Sequence, residues 1–242
     1  KEFLTRSGAS GTVRLYGTPA EEGGAGKVYM VREGLFHDVD AVLHWHPGDR
    51  NDASPWNSLA VISAKFRFHG ISAHAATAPE RGRSALDGVE AMNHMANLMR
   101  EHVPEDTRMH YVITNGGAAP NVVPDFAEVY YYVRHPDSKQ AAEIFDRLVK
   151  TSEGAALGTG TTVEHEIIHA VYAMLPSDAL ALVMDRNLIK VGGVQYTPEE
   201  QVFAERISIS FGTNPPPLAN ANRIEQLELK EASGSTDVAD VS

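Results

Sequence analysis

Leu59-Ala-Val-Ile-Ser-Ala-Lys-Phe-Arg-Phe-His69 alternates along its length as a β-strand does. The elements after it decide the fold. Residues 84–101 carry helical spacing, with Leu86, Val89, Met92, Met95, Ala96 and Met99 as the apolar positions. Arg108 to Thr114 and Ala127 to Arg134 read as two strands separated by the Gly116-Gly117 to Pro124 loop. Ser138 is the expected N-cap of a second helix, whose face includes Ala141, Ile144, Phe145 and Leu148. Thr161 to Ala170 closes the set as a strand. The order β-α-β-β-α-β is that of a split-βαβ, ferredoxin-like unit. It predicts an inserted domain over residues 58–173.

On its N-terminal side, Val13-Arg-Leu-Tyr16 and Asp40-Ala-Val-Leu-His44 read as strands flanking a helix over 27–33, with Gly34 as its C-cap. Strand, helix, strand at this spacing predicts a parallel pair with a right-handed crossover. Both following loops would then lie at the carboxyl edge of the sheet, where open α/β sheets bind ligands. On the C-terminal side, helical patterns return over 178–191 and 199–206, and Pro215-Pro216-Pro217 is a loop. The expected class is therefore α/β. Residues 1–57 and 174–242 would form one α/β domain, interrupted by the ferredoxin-like insertion.

Composition narrows the function classes. Among 242 residues, a formal net charge of -11 with scattered Lys and Arg argues against nucleic-acid binding. No apolar run approaches the ~20 residues of a membrane span. With no cysteine, disulfides, thiolate nucleophiles and Cys-based zinc sites are excluded, so any metal must be held by His, Asp and Glu. A reducing, cytoplasmic setting fits that composition. Lys1 opens the chain without an initiator Met or a leader, and Asp237 to Ser242 closes it without a cap, so both ends read as cut from a longer protein.

Glu21 and Glu22 follow the first expected strand in a Gly-rich loop. Adjacent carboxylates repel, and burying both calls for a shared cation. One could ligate a metal while the other takes a proton from water. On the dipeptide alone, two solvated carboxylates at a helix N-terminus is the favoured reading. His44 and His46 shift that balance, because the expected second strand would bring either imidazole to the same sheet edge. His74, in the small-residue turn Gly70-Ile-Ser-Ala-His74, reads as an exposed donor to a substrate oxygen or as an ordinary loop residue. That turn is not a serine nucleophile elbow, since His replaces the last Gly. Gly24-Ala-Gly-Lys27 is not a phosphate loop. Asn121 follows the double glycine, and Arg134 ends the next strand, where its guanidinium could grip a carboxylate.

Pro19-Ala-Glu-Glu22, Leu43-His44 with Pro47, Gly70-Ile-Ser-Ala-His74-Ala-Ala, Asn115-Gly-Gly117 with Asn121-Val-Val-Pro124 and Arg134, and Gly234-Ser-Thr-Asp237 occur in one order along the chain. In that order they resemble the M20 metallopeptidase and amidohydrolase family. The resemblance implies a zinc-peptidase-like catalytic domain, present in part, with an inserted lid and dimerisation domain. It implies cleavage of an N-acyl or aminobenzoyl amino acid by metal-activated water. Glu21 would be the general base, with Glu22 and His44 (rather than His46) as metal ligands. His74 would reach the partner subunit's active site and polarise the scissile carbonyl, while Asn121 and Arg134 would hold the substrate carboxylate. Zinc or manganese, two ions in the intact enzyme, would be the cofactor. A homodimer through the insertion is expected, with a second subunit type left open. The family's first metal motif should precede Lys1 and its final ligand His should follow Ser242. This chain is therefore expected to bind zinc poorly and to have little activity alone. The competing expectation is a non-catalytic dimerising domain descended from such an enzyme.

Overall fold

The computed structural model describes residues 2–231 and 234–242. Its order is α1 (Glu2–Ser7), α2 (Gly26–Arg32), β1 (Ala60–His69), α3 (Ala85–Met99), β2 (Arg108–Asn115), β3 (Phe126–His135), α4 (Ser138–Thr159), β4 (Thr162–Val171), α5 (Asp178–Val191) and α6 (Pro198–Ser208). Between β1 and β4 the expected β-α-β-β-α-β order is present. The four strands pair antiparallel in the order β2-β3-β1-β4, with the first and third at the centre.

Alternation on these strands sorts their side chains onto two faces. Ala64, Phe66 and Phe68 of β1 and Ala127, Val129, Tyr131 and Val133 of β3 turn to one face and are buried. Against them pack Val89, Met92 and Ala96 of α3 and Ile144, Phe145 and Leu148 of α4. The two helices thus cover one face of the sheet and form the main core. Within it the Tyr131 hydroxyl donates to Asn93 Oδ1 at 2.6 Å, so a buried polar pair is satisfied. The opposite face carries Ser63, Lys65, Arg67, Glu128, Tyr130, Tyr132 and Arg134.

The cap of α4 differs from expectation. Asp137, not Ser138, has the non-helical backbone of an N-cap, and its carboxylate accepts from the Lys139 and Gln140 amides. Ser138 is already in the helix, and its hydroxyl instead accepts from the Ala173 amide at 3.1 Å.

The expected parallel pair over 13–16 and 40–44 does not form. Both stretches lie outside regular structure, and no described strand pairs with either. Val13 and Leu15 are 81% and 99% exposed, whereas parallel strands persist only when both faces are covered. The first stretch is held by side chains instead. The Tyr16 hydroxyl donates to the Leu35 carbonyl at 2.8 Å, and its ring packs on Phe36. The helix between the two stretches is present as α2, with Glu33 rather than the expected Gly34 as its C-cap and Gly34 one residue beyond. Gly34 takes φ +73°, and the amides of Gly34 and Leu35 bond back to Val31 and Met30, which satisfies the last carbonyls. Among the described residues no helix is long and apolar enough to cross a membrane.

Candidate active site

Glu21 and Glu22 occupy a turn bracketed by Ala20 and Ala25, both with positive φ (58° and 49°) although neither is glycine. Such backbone costs free energy at a residue with a Cβ, so the surrounding structure must impose it. Several contacts do so. The Gly24 amide closes the turn on the Ala20 carbonyl at 2.9 Å. Chain 19–26 folds so tightly that a Cβ on Gly26 would lie 2.1 Å from the Pro19 carbonyl oxygen, so only glycine fits there. Beyond the turn, Ala25 and Val28 pack on Val61, Val171 and Tyr132, which docks the start of α2 on the open face of the sheet.

The result is a cleft of about 110 Å³ lined by Glu21, Glu22, Tyr132, Arg134, His169 and Ser235, with apolar sides from Ala25, Val61 and Val171. Arg134 reaches it from the end of β3. One terminal nitrogen of its guanidinium donates to Ser235 Oγ at 3.0 Å, and the group lies 5.3 Å from the centre of the Tyr132 ring. Its Nε is buried without a hydrogen-bond partner among the described residues. The Tyr132 hydroxyl is pushed up to about 12, by burial first and then by its contact with Tyr130. His169 bonds through Nδ1 to Ser63 Oγ at 2.8 Å and stands edge-on to Tyr132. Burial, then the nearby Arg134 charge, lowers its pKa and favours the neutral ring.

The expected site residues thus divide into groups. Glu21, Glu22 and Arg134 come together in the cleft. His44 is not among its lining residues, and without a strand over 40–44 the expected placement of His44 and His46 at one sheet edge is lost. His44 is depressed by desolvation first, then by the Lys27 and His46 charges. His74 and Asn121 meet each other elsewhere: His74 bridges to Val122, and the Ala75 amide donates to the Asn121 carbonyl at 3.0 Å. Both lie beyond the end of the sheet where His69 pairs with Phe126, while Arg134 pairs with Val61 at the other end. Eight residues of strand separate those pairs, ~27 Å at about 3.4 Å per residue. Within one chain, His74 and Asn121 are far from the glutamate pair.

Sequence reasoning missed Tyr132, His169 and Ser235 as cleft residues. Tyr132 was within reach of it, two positions before Arg134 on the same strand face. His169 enters only through the β1–β4 register, which places it opposite Ser63.

A zinc centre takes three or four protein ligands. Among the described residues no three His, Asp or Glu side chains gather closely enough to hold a metal ion. The described residues therefore do not fit a complete metal site.

A family model described as the peptidase dimerisation domain of the M20 group matches residues 60–159, from the start of β1 to the end of α4. The chain is 46% identical over 88% of its length to one of the subunits of p-aminobenzoyl-glutamate hydrolase from Escherichia coli, covering 45% of that protein. It is 32% identical over 79% of its length to Xaa-Arg dipeptidase of Mus musculus, covering 44% of it. It spans about half the length of the curated relatives it matches. Among solved structures, an aminobenzoyl-glutamate utilization protein from Klebsiella pneumoniae superposes with a TM-score of 0.59 at 23% identity, over 91% of this chain and 50% of that one. That likeness concerns the fold. With β1, α3, β2, β3 and α4 inside the match, and the small-residue turn and Arg134 among them, the chain carries the dimerisation domain of M20 peptidases over residues 60–159.

Proposed function

We propose that this chain is part of an amidohydrolase that cleaves the amide bond of an N-acyl or aminobenzoyl amino acid, with p-aminobenzoyl-glutamate as the model substrate. The observation that carries the proposal is the convergence of Glu21 and Glu22 with Arg134 on one cleft. A carboxylate that can accept a proton and a guanidinium line the same cleft, and the guanidinium Nε has no hydrogen-bond partner among the described residues. In this reading Arg134 binds the substrate carboxylate through two parallel N–H bonds. Glu21 accepts the proton of the water that attacks the amide carbon, then passes it to the departing amine nitrogen. Zinc or manganese belongs to the proposal as the intact enzyme's cofactor, with Glu22 and His44 as donors from this chain, although the residues here do not complete its site.

Residues 58–173 serve in this reading as the inserted lid and dimerisation domain, and 1–57 with 174–242 as the catalytic part. His74 and Asn121 serve the partner subunit's cleft, which the ~27 Å of strand between them and Arg134 favours. The assembly is then a homodimer; a second subunit type is suggested by the name of the Escherichia coli relative. A cytoplasmic setting is part of the same reading. The alternative, a non-catalytic dimerising domain, is favoured by one observation: the main core lies wholly within the four strands and two helices of the insertion.

The two readings part on one substitution. In the whole protein, Glu21→Gln should lower kcat for p-aminobenzoyl-glutamate by about 10²- to 10⁴-fold, the usual contribution of a positioned base, while substrate binding by calorimetry is retained. Unchanged turnover in that variant would remove Glu21 from the chemistry.

A further inference from the structure

The segment Gly234–Asp237 contacts three parts of the molecule within four residues. The Gly234 carbonyl accepts from the Leu59 amide at 2.8 Å, at the entrance to β1. Ser235 Oγ accepts from Arg134 Nη1 at 3.0 Å. Asp237 accepts twice from one residue: from the Lys27 backbone amide at 2.9 Å and from Lys27 Nζ at 2.6 Å. The ion pair is enclosed, with the Lys27 side chain 11% exposed and the Asp237 side chain 1% exposed. Lys27 is the second residue of α2, and α2 begins one residue after the strained turn that presents Glu21 and Glu22.

We infer that Gly234–Asp237 is a positioning strap that sets the distance between the glutamate pair and Arg134. Asp237 fixes the start of α2, and through it the turn bearing Glu21. Ser235, two residues earlier, fixes the guanidinium. Two residues of extended chain span no more than ~7 Å, so with both anchors made the two groups are held at one short separation, and each anchor can be released by itself. Thr236, between them, faces the same cleft, and its hydroxyl accepts from the Val238 amide at 3.4 Å. A buried pair that also accepts a backbone amide is satisfied on both charges and holds one geometry. Asp237 and Ser235 are positioning residues, because neither needs to touch the reacting atoms to act. This inference rests on the proposed roles of Glu21 and Arg134.

Its test is a split between two variants of the whole protein. Asp237→Asn keeps the side-chain shape but loses the ion pair. It should lower kcat for p-aminobenzoyl-glutamate by roughly 10-fold or more, since small displacements of a catalytic group are costly, with KM nearly unchanged. Hydrogen exchange in the peptide covering residues 20–31 should rise about tenfold, while β1 and β3 keep their protection. Ser235→Ala should raise KM about 5-fold through the lost hydrogen bond, leaving kcat and exchange at 20–31 as they are. Lys27→Met is the second route to the Asp237 effect, and the double variant should be no worse than either single one. Equal losses of kcat and KM in both variants, or unchanged exchange at 20–31 in Asp237→Asn and Lys27→Met, would overturn the strap. Turnover that survives Glu21→Gln would instead remove the base assignment, and the exchange result would still stand or fall for the strap.

Discussion

Arg134→Met should separate stability from ligand binding in a way few substitutions do. Among the described residues the Arg134 side chain has one hydrogen bond, to Ser235, and one ring contact, with Tyr132. Against these stand a buried Nε with no partner among the described residues and a direct cross-strand pairing with Arg108. Removing the side chain forfeits about 1.5 kcal/mol for the hydrogen bond and ~0.5–1 kcal/mol for the cation–π contact. It also relieves ~1–3 kcal/mol from the unpaired donor, and like charges set directly opposite on a sheet are unfavourable in addition. The net change in unfolding free energy should lie within about 1 kcal/mol of zero. Binding should respond quite differently. Glutamate at a hundred times its dissociation constant stabilises a protein that binds only when folded by about 2.7 kcal/mol, and the variant should gain none of this. Urea unfolding of both proteins, with and without glutamate, reads both quantities at once. A variant more than about 3 kcal/mol less stable without ligand, or one stabilised by glutamate as much as the wild type, would rule out this role for Arg134.

Two further outcomes concern the domain itself. Asn93→Leu leaves the Tyr131 hydroxyl buried without its acceptor and should cost ~1–3 kcal/mol in urea unfolding; adding Tyr131→Phe should restore part of that loss rather than deepen it. His169 titrates below its ordinary 6.5 because burial and Arg134 disfavour its charged form. Between the folded value and 6.5 the unfolded chain binds a proton that the folded chain does not, so this stability is present above 6.5 and lost as pH falls. His44 and His110 are depressed too and share the slope, so His169→Gln should flatten the stability–pH curve below 6.5 without abolishing it. An unchanged slope would contradict the depressed value.

The β-α-β-β-α-β unit was legible because its elements are decided locally. The Phe66 and Phe68 alternation, the 3.6-residue stripe through Val89, Met92 and Ala96, and the turn-rich gaps between them agree with one another, and the sheet order follows from them. The misreading at Ser138 arose because Asp137 and Ser138 are both good caps, and only the contact with Ala173 shows which is used. The stretches 13–16 and 40–44 have the composition of strands, but a parallel strand is made by its neighbours, which local sequence does not encode. The same limit governs the cleft. Glu21, Glu22 and Arg134 were individually visible, yet their meeting depends on α2 docking through Ala25 and Val28 and on the Lys27–Asp237 pair 210 residues apart in sequence. The separation of His74 and Asn121 from them came only with the β1–β3 register.

That separation can be probed directly by subunit complementation. Glu21→Gln and His74→Ala each remove one component, on the reading that Glu21 serves its own subunit's cleft and His74 the partner's. Mixed and allowed to exchange subunits, two inactive homodimers should yield heterodimers with one intact cleft. Hydrolysis of p-aminobenzoyl-glutamate by the whole protein should then return to about a quarter of the wild-type rate, because half of a random mixture is heterodimer and half of its sites are whole. A mixture that exchanges subunits yet stays as inactive as its parents would contradict a cleft built from two chains around the Glu21-Glu22 pair.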